Sequence, residues 1–95
     1  MEQQHKDKSV LIFGAGSGIG RGIALRFARE GAKLFLADIA PQTLGETAEL
    51  CALPSDRIFT DPADITRTGD IRRVVGETAA VFGRLDYMIN AAGIV

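Results

Sequence analysis

A continuous apolar run, Ser9-Val10-Leu11-Ile12-Phe13, opens directly into a stretch where five of nine positions are glycine: Gly14, Gly16, Gly18, Gly20 and Gly22. A run without polar alternation suits a strand covered on both faces, and therefore a sheet with helices on each side. From Ile19 the apolar residues recur at helical spacing as Ile23, Ala24, Phe27 and Ala28, while Arg21, Arg26, Arg29 and Glu30 fall on the other side. Strand, tight turn and amphipathic helix are thus joined without a spacer, and the helix is expected to stop near Gly31.

The same alternation continues along the chain. Lys33 to Ala37 reads as a second buried strand ending at a lone acid, Asp38. Pro41 suits the first turn of a second helix, whose inward stripe is Leu44, Ala48 and Cys51 and which runs out before Pro54. Arg57 to Thr60 is a weaker strand. Thr66 or Thr68 can cap a third helix with a core face of Ile71, Val74, Val75, Thr78 and Phe82, ended by Gly83. Leu85 to Ile89 is the fourth strand. The order β-α-β-α-β-α-β, with connections of helical length, requires parallel strands joined by right-handed crossovers.

A strand turning sharply into a helix gathers unpaired backbone N–H groups and the positive end of a helix dipole at one point, which favours a phosphate. In such a turn Gly14 permits the bend, Gly18 lets a pyrophosphate approach the backbone, and Gly20 allows close packing of helix on strand. Ser17 offers a hydroxyl donor. The spacing G-x-G-x-x-G is absent, because its third glycine falls on Ile19 or Arg21, and so is the P-loop. What stands instead is Gly14-x-x-x-Gly18-x-Gly20. Its bland reading is a tight turn without a ligand. Asp38, 24 positions beyond Gly14, sits where a carboxylate can accept from both ribose hydroxyls of an adenosine, which favours NAD over NADP. Its bland reading is a solvated acid at a strand end.

Composition excludes several alternatives. With 11 Lys and Arg against 12 Asp and Glu in 95 residues, no nucleic-acid or anionic-membrane footprint follows. A hydrophobic share of 46% with 24% charged residues is that of a globular chain with a packed core. Cys51 stands alone and makes neither an internal disulfide nor a multi-thiolate metal site, and no apolar run reaches the length of a membrane span. The expectation is a soluble protein of the reducing cytoplasm, with a polar leader over residues 1–8 and one partial domain over 9–95.

With these residues placed, the chain resembles the N-terminal half of the short-chain dehydrogenase/reductase family. That family's cofactor turn is Thr-Gly-x-x-x-Gly-x-Gly, matched at every glycine by Phe13-Gly14-Ala15-Gly16-Ser17-Gly18-Ile19-Gly20. Asp38 after the second strand, Asp64-Ile65-Thr66 after the third, and Leu85-Asp86-Tyr87-Met88-Ile89-Asn90-Ala91-Ala92-Gly93 at the fourth fit the same pattern. The resemblance implies a Rossmann-type α/β fold, a three-layer parallel sheet of order 3-2-1-4, cut off after its fourth strand. It implies that Asp64 accepts from the adenine amino group beside the Ile65 backbone, that Ile39 adjoins the same site, and that Asn90, Ala92 and Gly93 border the cofactor ribose. Two departures stand out: Phe13 replaces a small hydroxylated residue and adds bulk beside the turn, and Ala91 replaces the second asparagine of Asn-Asn-Ala-Gly.

In the family a tyrosine acts as general acid or base, a lysine four residues later lowers its pKa, and a serine orients the carbonyl. The one tyrosine, Tyr87, has Ala91 four residues on and reads as packing, so no residue is assigned a catalytic role. His5 reads as a surface residue, Cys51 as buried packing, and Arg21 either as steering a pyrophosphate or as a solvated helix-face residue. The implied whole is an NAD-dependent oxidoreductase acting on a small alcohol or carbonyl, commonly a homo-oligomer. The 95 residues read as its cofactor-binding half, inactive alone, or as a non-catalytic nucleotide module, or as a nonfunctional truncated product. An apolar fourth strand left at the sheet's edge would invite pairing or aggregation.

Overall fold

The computed structural model describes residues 4–92. Its elements are β1 (Ser9–Phe13), α1 (Gly18–Arg29), β2 (Lys33–Asp38), α2 (Pro41–Cys51), β3 (Ile58–Pro62), α3 (Thr68–Phe82) and β4 (Tyr87–Asn90). The four strands form one parallel sheet in the order β3-β2-β1-β4, as the alternation of strands and helices requires.

Alternation within the two central strands divides the core. Val10, Ile12, Leu34 and Leu36 face α1 and α2, packing with Ala24, Leu44 and Cys51. Leu11, Phe13, Phe35 and Ala37 face the other way, toward Val74 of α3. Every residue of β1 is buried, so it lies in the middle layer with helices on both sides, and each fully covered Val, Leu or Ile contributes roughly 1.5–3 kcal/mol. Phe13 points into the α3 layer rather than across the glycine turn, and its bulk fills the core there.

Several boundaries differ from the sequence expectation, each for a local reason. β3 begins at Ile58 rather than Arg57 and runs two residues further, because β2 continues to pair with it through Ala37↔Asp61 and Asp38↔Pro62. Proline is tolerated there because β3 is an outer strand of the sheet. β4 starts at Tyr87, not Leu85: Ser9 donates through its N–H to Asp86 Oδ2 and through its hydroxyl to the Arg84 carbonyl, which holds the approach outside the ladder. Neither Thr66 nor Thr68 caps α3. The cap position is Arg67, without a side-chain bond, while Asp70 in the first turn accepts from the Asp64 N–H and the Thr66 hydroxyl turns back to Asp64. α1 ends as expected, with Gly31 in the left-handed region at φ +86°.

The register fixes where the loops meet. Phe13 lies opposite Ala37 on one side and Asn90 on the other, so the turn after β1, Asp38, the Ala63-Asp64 segment and Ala91-Ala92 emerge together at the carboxyl ends of the strands. In open α/β sheets that edge, where strand order reverses at β1 with β2 on one side and β4 on the other, is where ligands are bound.

Candidate active site cleft

At this edge lies a cleft of about 350 Å³, lined by residues from all four strand ends, among them Gly14, Ser17, Asp38, Ile39, Asp64 and Ile65. The glycine turn forms its floor. Gly14 has φ +77°, and a Cβ there would come within 2.5 Å of the Ala92 nitrogen, so both conformation and space demand glycine. A Cβ on Gly20 would lie 1.9 Å from the Gly14 carbonyl oxygen, which is the close approach of helix to strand expected of the third glycine. Beside Gly18 there is open space, and the backbone is exposed.

Most amides of the turn are already engaged. Gly14 and Ala15 donate to the Ala37 carbonyl, Gly16 to Asp38 Oδ2, Ser17 to the Gly14 carbonyl, and Gly20 to Ser17 Oγ. The Ser17 hydroxyl oxygen caps α1 by accepting from the Gly20 N–H, while its proton goes to the Gly14 carbonyl. The N–H groups of Gly18 and Ile19 are the two that take no partner among the described residues. They open α1 at its positive end, on a turn whose shape is fixed by the bonds around it.

Asp38 points into that turn. Its Oδ2 accepts from Gly16 at 2.9 Å and its Oδ1 from the Ala40 N–H at 2.9 Å, which brings the carboxylate and the glycine backbone into one unit. The next side chain, Ile39, is 69% exposed and borders the cleft. Across from it Asp64 accepts at Oδ1 from the hydroxyl and N–H of Thr66, and these bonds hold its carboxyl below the ordinary 3.8. Ile65 is half-buried behind it. Asn90 Oδ1 accepts from the Ala92 N–H and shapes the chain after β4, while Gly93 lies outside the described residues. Ala91, standing where the family has asparagine, is buried and donates to the Phe13 carbonyl.

Other residues are settled by their contacts. Arg21 does not lie free in solvent: its guanidinium is turned to α2, where it donates to Thr47 Oγ1, the Thr43 carbonyl and Glu46. Tyr87 pairs with Val10 near the start of β1, three residues before Phe13, so it lies about 10 Å along the strands from the cleft. Its ring meets His5 and Phe27. His5 in turn is 3.1 Å from Glu30 and ties the leader to the end of α1. Cys51 is buried, and burial pushes its thiol pKa up, which makes it packing rather than a nucleophile. Thr43 and Thr47 have no place in the motif reading, yet they stand directly behind the glycine turn. Thr47 was not singled out from the sequence; the signal that would find it is a hydroxyl residue on the inward helical stripe beside Leu44 and Cys51.

A profile of the family described as short chain dehydrogenase matches residues 8–95. Levodione reductase of Leifsonia aquatica is 41% identical over 90 residues, covering 93% of this chain and 34% of its own length. A solved glucose/ribitol dehydrogenase from Brucella melitensis superposes with a TM-score of 0.91 at 33% identity, over 100% of this chain and 40% of that one. A 3-ketoacyl-(acyl-carrier-protein) reductase from the same organism, solved with NADH, gives 0.78 at 34% identity, over 87% and 33%. The chain spans about a quarter to a third of the length of the curated relatives it matches. No helix among the described residues is long and apolar enough to cross a membrane. Fold and strand order agree with these matches, and the chain belongs to the short-chain dehydrogenase/reductase family.

Proposed function

We propose that residues 9–95 are the NAD-binding portion of an oxidoreductase that moves a hydride between nicotinamide and a hydroxyl or carbonyl substrate. One observation carries this reading: the Asp38 carboxylate is hydrogen-bonded into the same glycine turn that leaves the Gly18 and Ile19 amides unpaired. A diphosphate suits those two amides and the α1 dipole, and an adenosine ribose suits the acid one turn away. Ile39 and Ile65 offer apolar surface for the adenine ring, with the free oxygen of Asp64 as acceptor for its amino group. Gly14, Ser17 and Gly20 shape the turn, and Asn90, Ala92 and Gly93 border the far ribose. When bound, the nicotinamide supplies the hydride chemistry.

NAD is the preferred form because a 2′-phosphate beside Asp38 would face a second anion, and the described residues lining the cleft include no lysine or arginine to offset it. The serine, tyrosine and lysine of the reaction belong to a longer protein, as does any homo-oligomeric contact. A reducing cytoplasm agrees with the lone buried Cys51.

Titration of the purified 95-residue chain with NADH, followed by amide shifts, tests the binding reading. Saturable shifts at Gly18, Ile19, Ile39 and Ile65 are expected. Binding confined to other residues, or no saturation at millimolar ligand, overturns it.

A further inference from the structure

The Thr47 hydroxyl is buried and lies at the junction of three elements. Its single proton has two carbonyls in reach, Ala15 in the middle of the glycine turn at 2.8 Å and Thr43 at 3.2 Å, and goes to the nearer, while its oxygen accepts from Arg21 Nε at 2.9 Å, on the first turns of α1. Arg21 continues the link, donating at 3.1 Å to the Thr43 carbonyl, one turn earlier on α2. Thr43 itself fills the space behind Gly16, where a Cβ would come within 2.5 Å of its Oγ1. The turn is thus gripped from opposite sides, by Ala37 and Asp38 of β2 through its N–H groups and by Thr47 through a carbonyl.

Ala15 is the residue on which these forces meet. The peptide plane between Ala15 and Gly16 is held at both ends, its C=O by Thr47 of α2 and its N–H by Asp38. The preceding plane is tied to β2 through the Ala15 N–H, so the one after it has little freedom to rotate. The plane sets the direction of the Gly16 N–H toward Asp38 and, through Ser17, the entry of α1 with its two unpaired amides. A carbonyl released from Thr47 can tip toward the anion-binding end of the helix, where its negative dipole opposes a phosphate. Holding that oxygen away keeps the N-terminus of α1 electropositive.

From this geometry we infer that Thr47, tethered by Arg21, is a positioning residue for the diphosphate of the dinucleotide, selective for phosphate over the adenosine end. The inference rests on the dinucleotide reading above. Thr47 touches no part of the cleft itself and acts through Ala15. The adenosine end is held by Asp38, Ile39 and Asp64; Ile39 and Asp64 make no hydrogen bond to Thr47, and Asp38, which meets the Ala15–Gly16 peptide through the Gly16 N–H, keeps an independent anchor in the Ala40 N–H.

The test compares ADP-ribose with adenosine as ligands of the 95-residue chain, using calorimetry and the amide shifts of Gly18 and Ile19. Thr47→Val removes donor and acceptor at nearly constant shape and is expected to weaken ADP-ribose by about tenfold while leaving adenosine within about twofold. Thr47→Ser keeps the hydroxyl and restores ADP-ribose binding. Where Thr47→Val gives no dispersed amide spectrum, Arg21→Met carries the test, since it removes one tether but leaves Ala15 paired. A loss of roughly threefold for ADP-ribose alone is expected for it. Equal binding of ADP-ribose by a folded variant, or equal loss for both ligands, overturns the assignment to Thr47. Failure of the unsubstituted chain to bind ADP-ribose at all overturns the dinucleotide reading instead.

Discussion

Replacement of Asp38 by alanine separates cofactor selectivity from cofactor affinity. The carboxylate accepts from Gly16 with one oxygen and from Ala40 with the other, so its removal orphans two N–H groups and loosens the turn for any dinucleotide. That loss applies to NAD and NADP alike and cancels in their ratio. The ratio retains two terms. NAD loses its ribose hydrogen bonds to a charged acceptor, and NADP is relieved of repulsion between Asp38 and its 2′-phosphate. At about 4 Å that repulsion is about 1 kcal/mol per charge pair in water and about 4 kcal/mol at an effective dielectric of 20. The cleft is open and its acid half-exposed, which places the value near the lower figure. With roughly 1.4 kcal/mol per decade, the NAD:NADP preference should fall by about tenfold or more once the ribose bonds are added. Calorimetric titration of both cofactors into both proteins measures it. Tighter binding of NADP by the unsubstituted protein, or an unchanged ratio in Asp38→Ala, would refute the role given to this carboxylate.

Gly20→Ala forces a methyl group against the Gly14 carbonyl at 1.9 Å, so the turn must open, with a loss of about 3 kcal/mol or more in urea unfolding; a loss below about 1 kcal/mol would contradict that packing. Ala52 ends α2 in the left-handed region at φ 54°, and Ala52→Gly should raise stability by about 0.5–1 kcal/mol, visible as a higher melting temperature. Arg84, and then the Ser9 N–H, hold the Asp86 carboxyl below the ordinary 3.8, so the stability this group contributes is present above that pH and is lost as pH falls below it. Acid unfolding curves of Asp86→Asn should therefore be flatter below pH 4 than those of the unsubstituted chain, and identical slopes would exclude the contribution. Purified alone, the 95 residues should produce no NADH from a panel of alcohols, because the one tyrosine lies far down β4 from the cleft; robust turnover would defeat this.

Strand order, layer assignment and the position of the glycine turn were legible because each rests on a strong local signal: unbroken apolar runs for β1 and β2, 3.6-residue periodicity for α1 and α3, and the spacing Gly14-x-x-x-Gly18-x-Gly20 between strand and helix. The misplaced boundaries fall where tertiary bonds override composition. Pro62 belongs to a strand only because β2 supplies a ladder beside it, and Leu85 leaves one because Ser9 holds Asp86 and Arg84. Arg21 was ambiguous for a related reason. A long cation on a helix face has no partner in a one-dimensional pattern, and its three acceptors lie on α2, more than twenty residues away. The acids of the cleft could be named in advance, whereas the direction of Asp38 into the turn depends on the close pairing of β1 with β2.

The engagement of Arg21 alters what holds an anion at this site. Among the cleft-lining residues there is no lysine or arginine, and two of them are aspartates. A diphosphate resting here would be met by backbone N–H groups and a helix dipole, whose combined charge is about half a unit and is fixed in direction. Binding through mobile surface cations falls steeply with salt, because counterions compete for each charge. Binding through two oriented amides on a shaped turn should weaken far less, since much of the interaction is short-range hydrogen bonding. Raising sodium chloride from 50 to 500 mM should therefore change NADH affinity by no more than about threefold. A change of tenfold or more would mean that a side-chain cation reaches the diphosphate, and Arg21 would have to leave Thr47 to be that cation.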